Sequence, residues 1–134
     1  MTRFADTFYF LTLLNSSDSA HAAAMQHSQG PGGIITTEWV LTEAADAMAQ
    51  PAKRQGFLEL HRLLRAEPKV VIIPADSELF LRGVELYAGR PDKEWSLTDC
   101  ISFVVMRDRG IAEALTGDHH FEQAGFVALL RSET

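Results

Sequence analysis

The stretch Val70-Val71-Ile72-Ile73 consists entirely of β-branched residues, which favour extended backbone and pack well on a pleated surface. The run is continuous rather than alternating, which is typical of a strand buried on both faces, so we predict a central strand of a parallel sheet. In both directions from this strand, short β-rich segments alternate with longer segments whose apolar residues recur at helical spacing. This alternation indicates crossover units and a mostly parallel sheet.

The same alternation predicts the remaining elements, with glycine, proline and small polar residues between them. The other predicted strands are 3–6, 33–36, 112–116 and 126–130, and the predicted helices are 7–14, 19–29, 37–48, 52–66, 77–88, 97–109 and 119–123. We therefore predict one domain over residues 1–134. Its expected fold is a three-layer α/β/α arrangement around about five mostly parallel strands, the number of β-rich segments found.

The composition is that of a folded globular domain, with 46% hydrophobic and 22% charged residues. Twelve basic against eighteen acidic residues give a net charge of −6, so no broad positive field attracts nucleic acid, and any such contact is local. The single Cys100 excludes an internal disulfide, and the apolar runs 8–14 and 70–73 are too short to cross a bilayer. We therefore expect a cytoplasmic protein without membrane association.

The predicted helix 97–109 is apolar almost all round and should be buried. Asp99 lies in its first turn, where a carboxylate is costly unless a charged or donating group meets it. The sequence Ser96-Leu97-Thr98-Asp99 fits a capping box, in which Asp99 accepts a hydrogen bond from the Ser96 amide. This motif alone favours a structural cap, and a functional carboxylate remains the alternative.

A helical wheel of the segment after the second strand separates its three acids. Glu43 falls inside the packed arc, whereas Glu38 and Asp46 fall outside it. Glu43 is therefore the inward-facing acid. The alternative interpretation is a partly buried glutamate paired with an arginine such as Arg62 or Arg82.

Asp6 and Asp118 each follow a predicted strand, which places both at the carboxyl edge of the sheet, where ligands bind in such folds. Each alone is explained by a turn or a helix N-cap. Together with the two helical acids they form a set that would repel itself without a cation, and all-oxygen ligands favour Mg²⁺ or Mn²⁺. The candidate cluster is Asp6, Glu43, Asp99 and Asp118.

The segment 92–103, followed by 115–121 and 123–126, resembles the PIN-domain ribonucleases, and among them the VapC-like toxins of bacterial type II toxin–antitoxin pairs. The segments 4–7 and 36–43 match the first and second acidic motifs of that family in order and approximate spacing. The resemblance extends over the whole chain. It implies the PIN-like version of the predicted fold.

The resemblance also implies a function, a ribonuclease that depends on Mg²⁺ or Mn²⁺. Its metal ligands would be Asp6, Asp99 and Asp118, and Glu43 would complete the catalytic acids through a coordinated water or as a proton acceptor. The implied partners are an RNA substrate, a cognate antitoxin protein and a second copy of the chain. The alternative is a non-catalytic module of the same fold that binds a protein or nucleic acid. A receiver-like or phosphatase-like domain ranks last, because the chain lacks paired acids directly after the first strand.

Several further residues lie close to these motifs. Arg90 and Lys93 flank the predicted site and are candidate RNA contacts, with solvated surface charges as the alternative. His119 and His120 are adjacent, so their side chains point about 100° apart on a helix and are expected to be solvated loop residues rather than joint ligands of one ion. Gly117 stands where the family often has a bulky residue.

Overall fold

A computed structural model describes residues 1–131. The strands in this range are β1 Arg3–Ala5, β2 Ile34–Thr37, β3 Val70–Ile73, β4 Glu113–Leu115 and β5 Val127–Ala128. The helices are α1 Thr7–Leu13, α2 His21–Gln29, α3 Glu38–Ala47, α4 Pro51–Ala66, α5 Ser77–Gly89, α6 Leu97–Asp108 and α7 His119–Gln123. Every predicted element is therefore present, with its bounds shifted by at most two residues.

The five strands of the described range form one sheet in the order β3-β2-β1-β4-β5, and every neighbouring pair is parallel. The chain moves from β1 outward to β3, and then returns past β1 to β4 and β5. Because crossovers between parallel strands are right-handed, the two directions of travel place their helices on opposite faces of the sheet. The predicted three-layer α/β/α class is confirmed. One domain over 1–134 stays a prediction, since residues 132–134 lie outside the described range.

The position predicted for Val70–Ile73 is wrong. The segment is a strand, but β3 pairs only with β2 at the edge of the sheet, and Val71 is 45% exposed. The central strand is β1, where Phe4 and Ala5 are completely buried. A run of β-branched residues indicates an extended backbone. The place of a strand in its sheet depends instead on contacts with strands that are distant in sequence.

Helix α6 lies in the core, as its apolar circumference predicts, and its residues 99–106 are all buried. The ring of Phe103 packs edge-to-face on Phe121 of α7, with 4.9 Å between ring centroids. Helix α5 approaches α6 closely at Gly83, where an added Cβ would lie 2.3 Å from Cγ1 of Ile101. Within residues 1–131, no helix is both long and apolar enough to cross a membrane.

Candidate metal centre

Three of the predicted acids lie where helices begin at the carboxyl edge of the sheet. Asp6 precedes α1, Asp118 precedes α7, and Asp99 lies in the first turn of α6. The first N–H groups of a helix lack partners within the helix, and the positive end of the helix dipole also lies there. Oδ1 of Asp118 accepts a hydrogen bond from the His120 N–H at 2.9 Å, and Oδ2 of Asp99 accepts one from the Ser96 N–H at 3.1 Å. The backbone thus orients two of the three carboxylates.

Asp6 lies where the direction of strand connection reverses, between β1 and β4, which is the point where ligands bind in open α/β sheets. The hydroxyl of Thr116, which follows β4, donates to Oδ2 of Asp6 at 2.9 Å. Asp6 is 5% exposed, and burial, followed by the negative charge of Asp99, raises its pKa from 3.8 to about 7. A buried carboxylate that faces another acid is unfavourable for folding and is characteristic of functional sites.

Asp99 has structural features of both alternatives that the sequence left open. The capping box with Ser96 is present in both directions, as the motif predicts. The side chain is nevertheless buried among other acids: burial raises the pKa of Asp99, and the charges of Asp118 and Glu43 raise it further. Its Oδ1 accepts no hydrogen bond from residues 1–131, so the cap leaves one carboxylate oxygen available.

Glu43 projects from α3 toward the same edge. It is half-buried, and the hydroxyl of Thr7, the residue after Asp6, donates to its Oε1 at 2.5 Å. Its negative charge contributes to the raised pKa values of Asp6 and Asp99, so it lies within electrostatic range of both. Glu38 and Asp46 of the same helix are exposed, in agreement with the helical wheel.

The arginine partners considered for Glu43 are engaged elsewhere. Arg62 pairs with Glu59 on α4, and Arg82 pairs with Asp108 across α5 and α6. Across residues 1–131, no lysine or arginine forms an ion pair with any member of the acidic cluster, which we define as Asp6, Glu43, Asp99 and Asp118.

His120 is the residue of this site that sequence reasoning missed. The expectation of a solvated loop residue is wrong, since His120 lies on α7 and is partly buried, with Nδ1 3.2 Å from Oδ2 of Asp99 and 3.3 Å from Oδ1 of Asp118. His119 is exposed, but its Nδ1 lies 3.7 Å from the same oxygen of Asp118. Asp118 therefore approaches both rings, although adjacent side chains point in different directions. The signal in the sequence was that two histidines directly follow Asp118, a predicted member of the site.

The donor atoms fit a divalent cation. Asp118, His119 and His120 offer ligand atoms within 4.8 Å of one another, and the acidic cluster adds buried carboxylates without a basic partner in the described part of the chain. Carboxylate oxygens favour Mg²⁺ and Mn²⁺, and imidazole nitrogen is accepted by transition metals. The helices α3, α6 and α7 and the N-caps of α1 and α7 carry these side chains, which would hold such an ion.

The remaining predicted residues lie around this centre. Phe8 occupies the space beside Gly117, where an added Cβ would be 2.5 Å from Cζ of the Phe8 ring. Arg90 and Lys93 lie on the connection from α5 to α6 and line a groove that also includes Ser96. The structure thus brings the acids together, and the groove that Arg90 and Lys93 line is connected to them through the hydrogen bond between Ser96 and Asp99.

Comparison with known proteins gives a consistent result. The PIN domain matches residues 3–127. The 23S rRNA-specific endonuclease VapC20 of Mycobacterium tuberculosis is 27% identical over 125 residues, which cover 92% of this chain and 95% of that protein. The crystal structure of VapC20, described as a sarcin–ricin loop cleaving toxin, superposes with a TM-score of 0.84 at 26% identity and covers 95% of this chain and 97% of that one.

More distant structures share the fold. The VapBC2 structure from Rickettsia felis, bound to a DNA fragment from its promoter, gives a TM-score of 0.68 at 13% identity, covering 96% of this chain and 97% of that one. The FitAcB structure from Neisseria gonorrhoeae gives 0.64 at 19% identity, covering 96% and 95%. Because the family match spans almost the entire chain, this chain belongs to the PIN domain family.

Proposed function

We propose that this chain is a metal-dependent ribonuclease that hydrolyses RNA phosphodiester bonds at the acidic cluster. The observation that carries the proposal is the convergence of four acids from four separate parts of the chain without a lysine or arginine partner in residues 1–131. Folding alone would not favour this arrangement, because burial and mutual repulsion raise the pKa values of Asp6 and Asp99. Binding of a cation explains why the acids are brought together.

Each residue has a separate part in this proposal. Asp6, Asp99 and Asp118 would hold Mg²⁺ or Mn²⁺, which supplies positive charge for the transition state of phosphodiester hydrolysis. Thr116 orients Asp6 through its hydrogen bond, and the capping box orients Asp99. Glu43 accepts the proton of the attacking water: Thr7 bonds to its Oε1 and leaves Oε2 available.

The substrate and partners of the proposal come from relatives. VapC20 is named as an endonuclease of 23S rRNA, and its crystal structure is described as that of a toxin, which supports RNA as the substrate class and a toxin as the biological role. The sequence motifs resemble VapC-like toxins, which supports a cognate antitoxin, a homodimer and a cytoplasmic location. A non-catalytic module of the same fold is the alternative that the following experiment separates.

Purified protein is incubated with ribosomal RNA in the presence of Mn²⁺, Mg²⁺ or EDTA. We expect cleavage only with metal, and a loss of more than about 100-fold in Asp99→Asn, because removal of a metal ligand removes its charge from the site. Asp46→Asn makes the same chemical change on an exposed residue and should cleave like the parent. Equal cleavage by the two variants, or none by the parent with metal, would contradict the proposal.

The same assay tests the place of Glu43. Glu43→Gln should retain measurable activity, because the proposed metal ligands remain. Glu38→Gln, on the exposed side of α3, is the matched control and should cleave like the parent. If the two glutamine variants are equally damaged, the second acidic motif must be reassigned.

A further inference from the structure

A groove of about 880 Å³ lies between the C-terminal end of α5 and the first turn of α6. We call it the α5–α6 groove; its lining includes Tyr87, Arg90, Pro91, Lys93, Trp95 and Ser96. Ser96 connects it to the cluster, because the N–H of Ser96 donates to Oδ2 of Asp99. The groove and the acidic cluster therefore meet at the first turn of α6.

The two aromatic residues of the groove differ in accessibility. Trp95 is 4% exposed, its Nε1 donates to Oε1 of Gln123 at 3.0 Å, and the Arg90 guanidinium covers its ring at 5.1 Å from the centroid. Trp95 is thus part of the wall. Tyr87, in the last turn of α5, is 54% exposed and leaves aromatic surface accessible at the groove.

The basic residues of the groove also differ. Nε and Nη2 of Arg90 each donate to Asp92 at 3.0 Å, so this cation is already paired. Lys93 is partly buried and forms no ion pair within residues 1–131. Glu94 also lines the groove but is exposed to solvent. Lys93 is therefore the cation of the groove that is available to an anionic ligand.

We propose that the α5–α6 groove binds unpaired nucleotides of the RNA next to the bond that is cut, with one base stacked on Tyr87 and a phosphate paired with Lys93. This inference rests on the proposed ribonuclease function. The groove volume lies within the range of about 300–1,000 Å³ typical of pockets that enclose a small ligand, which suits a nucleotide. Stacking requires a base released from its helix, so single-stranded RNA should bind better than duplex RNA.

The test measures binding to a fluorescein-labelled single-stranded RNA of about 12 nucleotides, within the usual range of single-strand site sizes. Anisotropy is recorded with Mg²⁺ in an Asp99→Asn background, so that binding is measured without cleavage. Tyr87→Leu should raise Kd at least about fivefold, whereas Tyr87→Phe should stay within about twofold, because phenylalanine keeps the stacking face. Phe80→Leu removes another exposed aromatic ring of α5 outside the groove lining and should leave Kd unchanged.

The phosphate contact has its own readout. Lys93→Gln should flatten the slope of log affinity against log salt by about 0.7, the value for one contact to a single strand, whereas Lys53→Gln on exposed α4 should not. The inference is overturned if Tyr87→Leu matches Phe80→Leu and Lys93→Gln matches Lys53→Gln while the parent still cleaves RNA. Absence of metal-dependent cleavage by the parent overturns the ribonuclease proposal as well, so the two failures are distinguishable.

Discussion

β1 carries a buried charge near each end, Arg3 as its first residue and Asp6 immediately after its last. At the amino end, Nη1 of Arg3 donates to Nδ1 of His27 at 2.8 Å, and Nη2 donates to the Pro31 and His27 carbonyls at 3.2 and 3.4 Å. At the carboxyl end, Asp6 faces Asp99 and Glu43, which raise its pKa further after burial. A buried charge such as that of Arg3 is tolerated where hydrogen-bond acceptors surround it. A buried charge is costly where like charges surround it.

The two ends also respond to pH in opposite directions. Arginine has only donors, so His27 must accept through an unprotonated Nδ1, and burial followed by the charge of Arg3 lowers the pKa of His27. Stability from the amino end is therefore lost as the pH falls below about 6.5, where unfolded histidine takes up a proton. Asp6 has the reverse effect, because its folded pKa is raised. Arg3 therefore has a structural role at the amino end, and the contrast supports the functional role that we propose for Asp6 at the carboxyl end.

The largest expected effect is at the carboxyl end. Between its unfolded pKa of 3.8 and its folded pKa of about 7, Asp6 keeps its proton in the folded protein only, so the free energy of unfolding falls as the pH rises through this window. The loss amounts to about 4 kcal/mol over the whole window, at about 1.4 kcal/mol for each pH unit, and about 3 kcal/mol of it falls between pH 5 and pH 7. Asp6→Asn should remove it. Urea unfolding in EDTA at pH 5 and pH 8 provides the measurement. An unchanged pH dependence in the variant would contradict the contrast between the two ends of β1.

Asp6→Asn should remove a loss of stability at the carboxyl end of β1, whereas a substitution of Arg3 at the amino end should destabilise the protein. Arg3→Met leaves the Pro31 and His27 carbonyls without their donor, and we expect about 3 kcal/mol of destabilisation, as for other broken buried polar contacts. Arg62→Met is the matched control: it removes an exposed ion pair on α4 and should not change the urea midpoint measurably. If the two variants unfold at the same urea concentration, Arg3 does not stabilise the amino end.

A bound metal ion should distinguish the two ends of β1, because it should stabilise only the carboxyl end. Mn²⁺ at about 100 times its dissociation constant should add about 2.7 kcal/mol to the free energy of unfolding of the parent. The gain should persist in Arg3→Met and disappear in a variant that carries both Asp6→Asn and Asp99→Asn. Calorimetry with Mn²⁺ and with EDTA measures it. The absence of any shift in the parent at millimolar Mn²⁺ would count against the metal centre.

The smallest effect is expected at His120, which contacts both Asp99 and Asp118. His120→Ala removes this contact and should destabilise the metal-free protein by about 1 kcal/mol. His119→Ala replaces the exposed neighbour and should be close to neutral. Thermal unfolding in EDTA compares the two, and equal unfolding temperatures would show that the contacts of His120 contribute no stability.

The elements and the acidic cluster could be predicted from the sequence because both leave local signals. Helical periodicity separates Glu43 from Glu38 and Asp46 on α3, since the position of a side chain around a helix follows directly from its place in the chain. The capping box at Ser96 and Asp99 is equally local, because its partners are three residues apart. Likewise, the glycine and proline residues between the elements locate the helix ends within two residues.

By itself, then, the sequence determined which segments are helices and strands and which acids follow them. Only the tertiary structure decided that β3 is an edge strand, that His120 reaches Asp99, and that Thr116 bonds to Asp6 across 110 positions of the chain. The physical reason is that local structure depends on backbone geometry over a few residues. Strand order and the meeting of distant side chains depend instead on how the whole chain buries its apolar surface, and nearby residues do not encode that outcome.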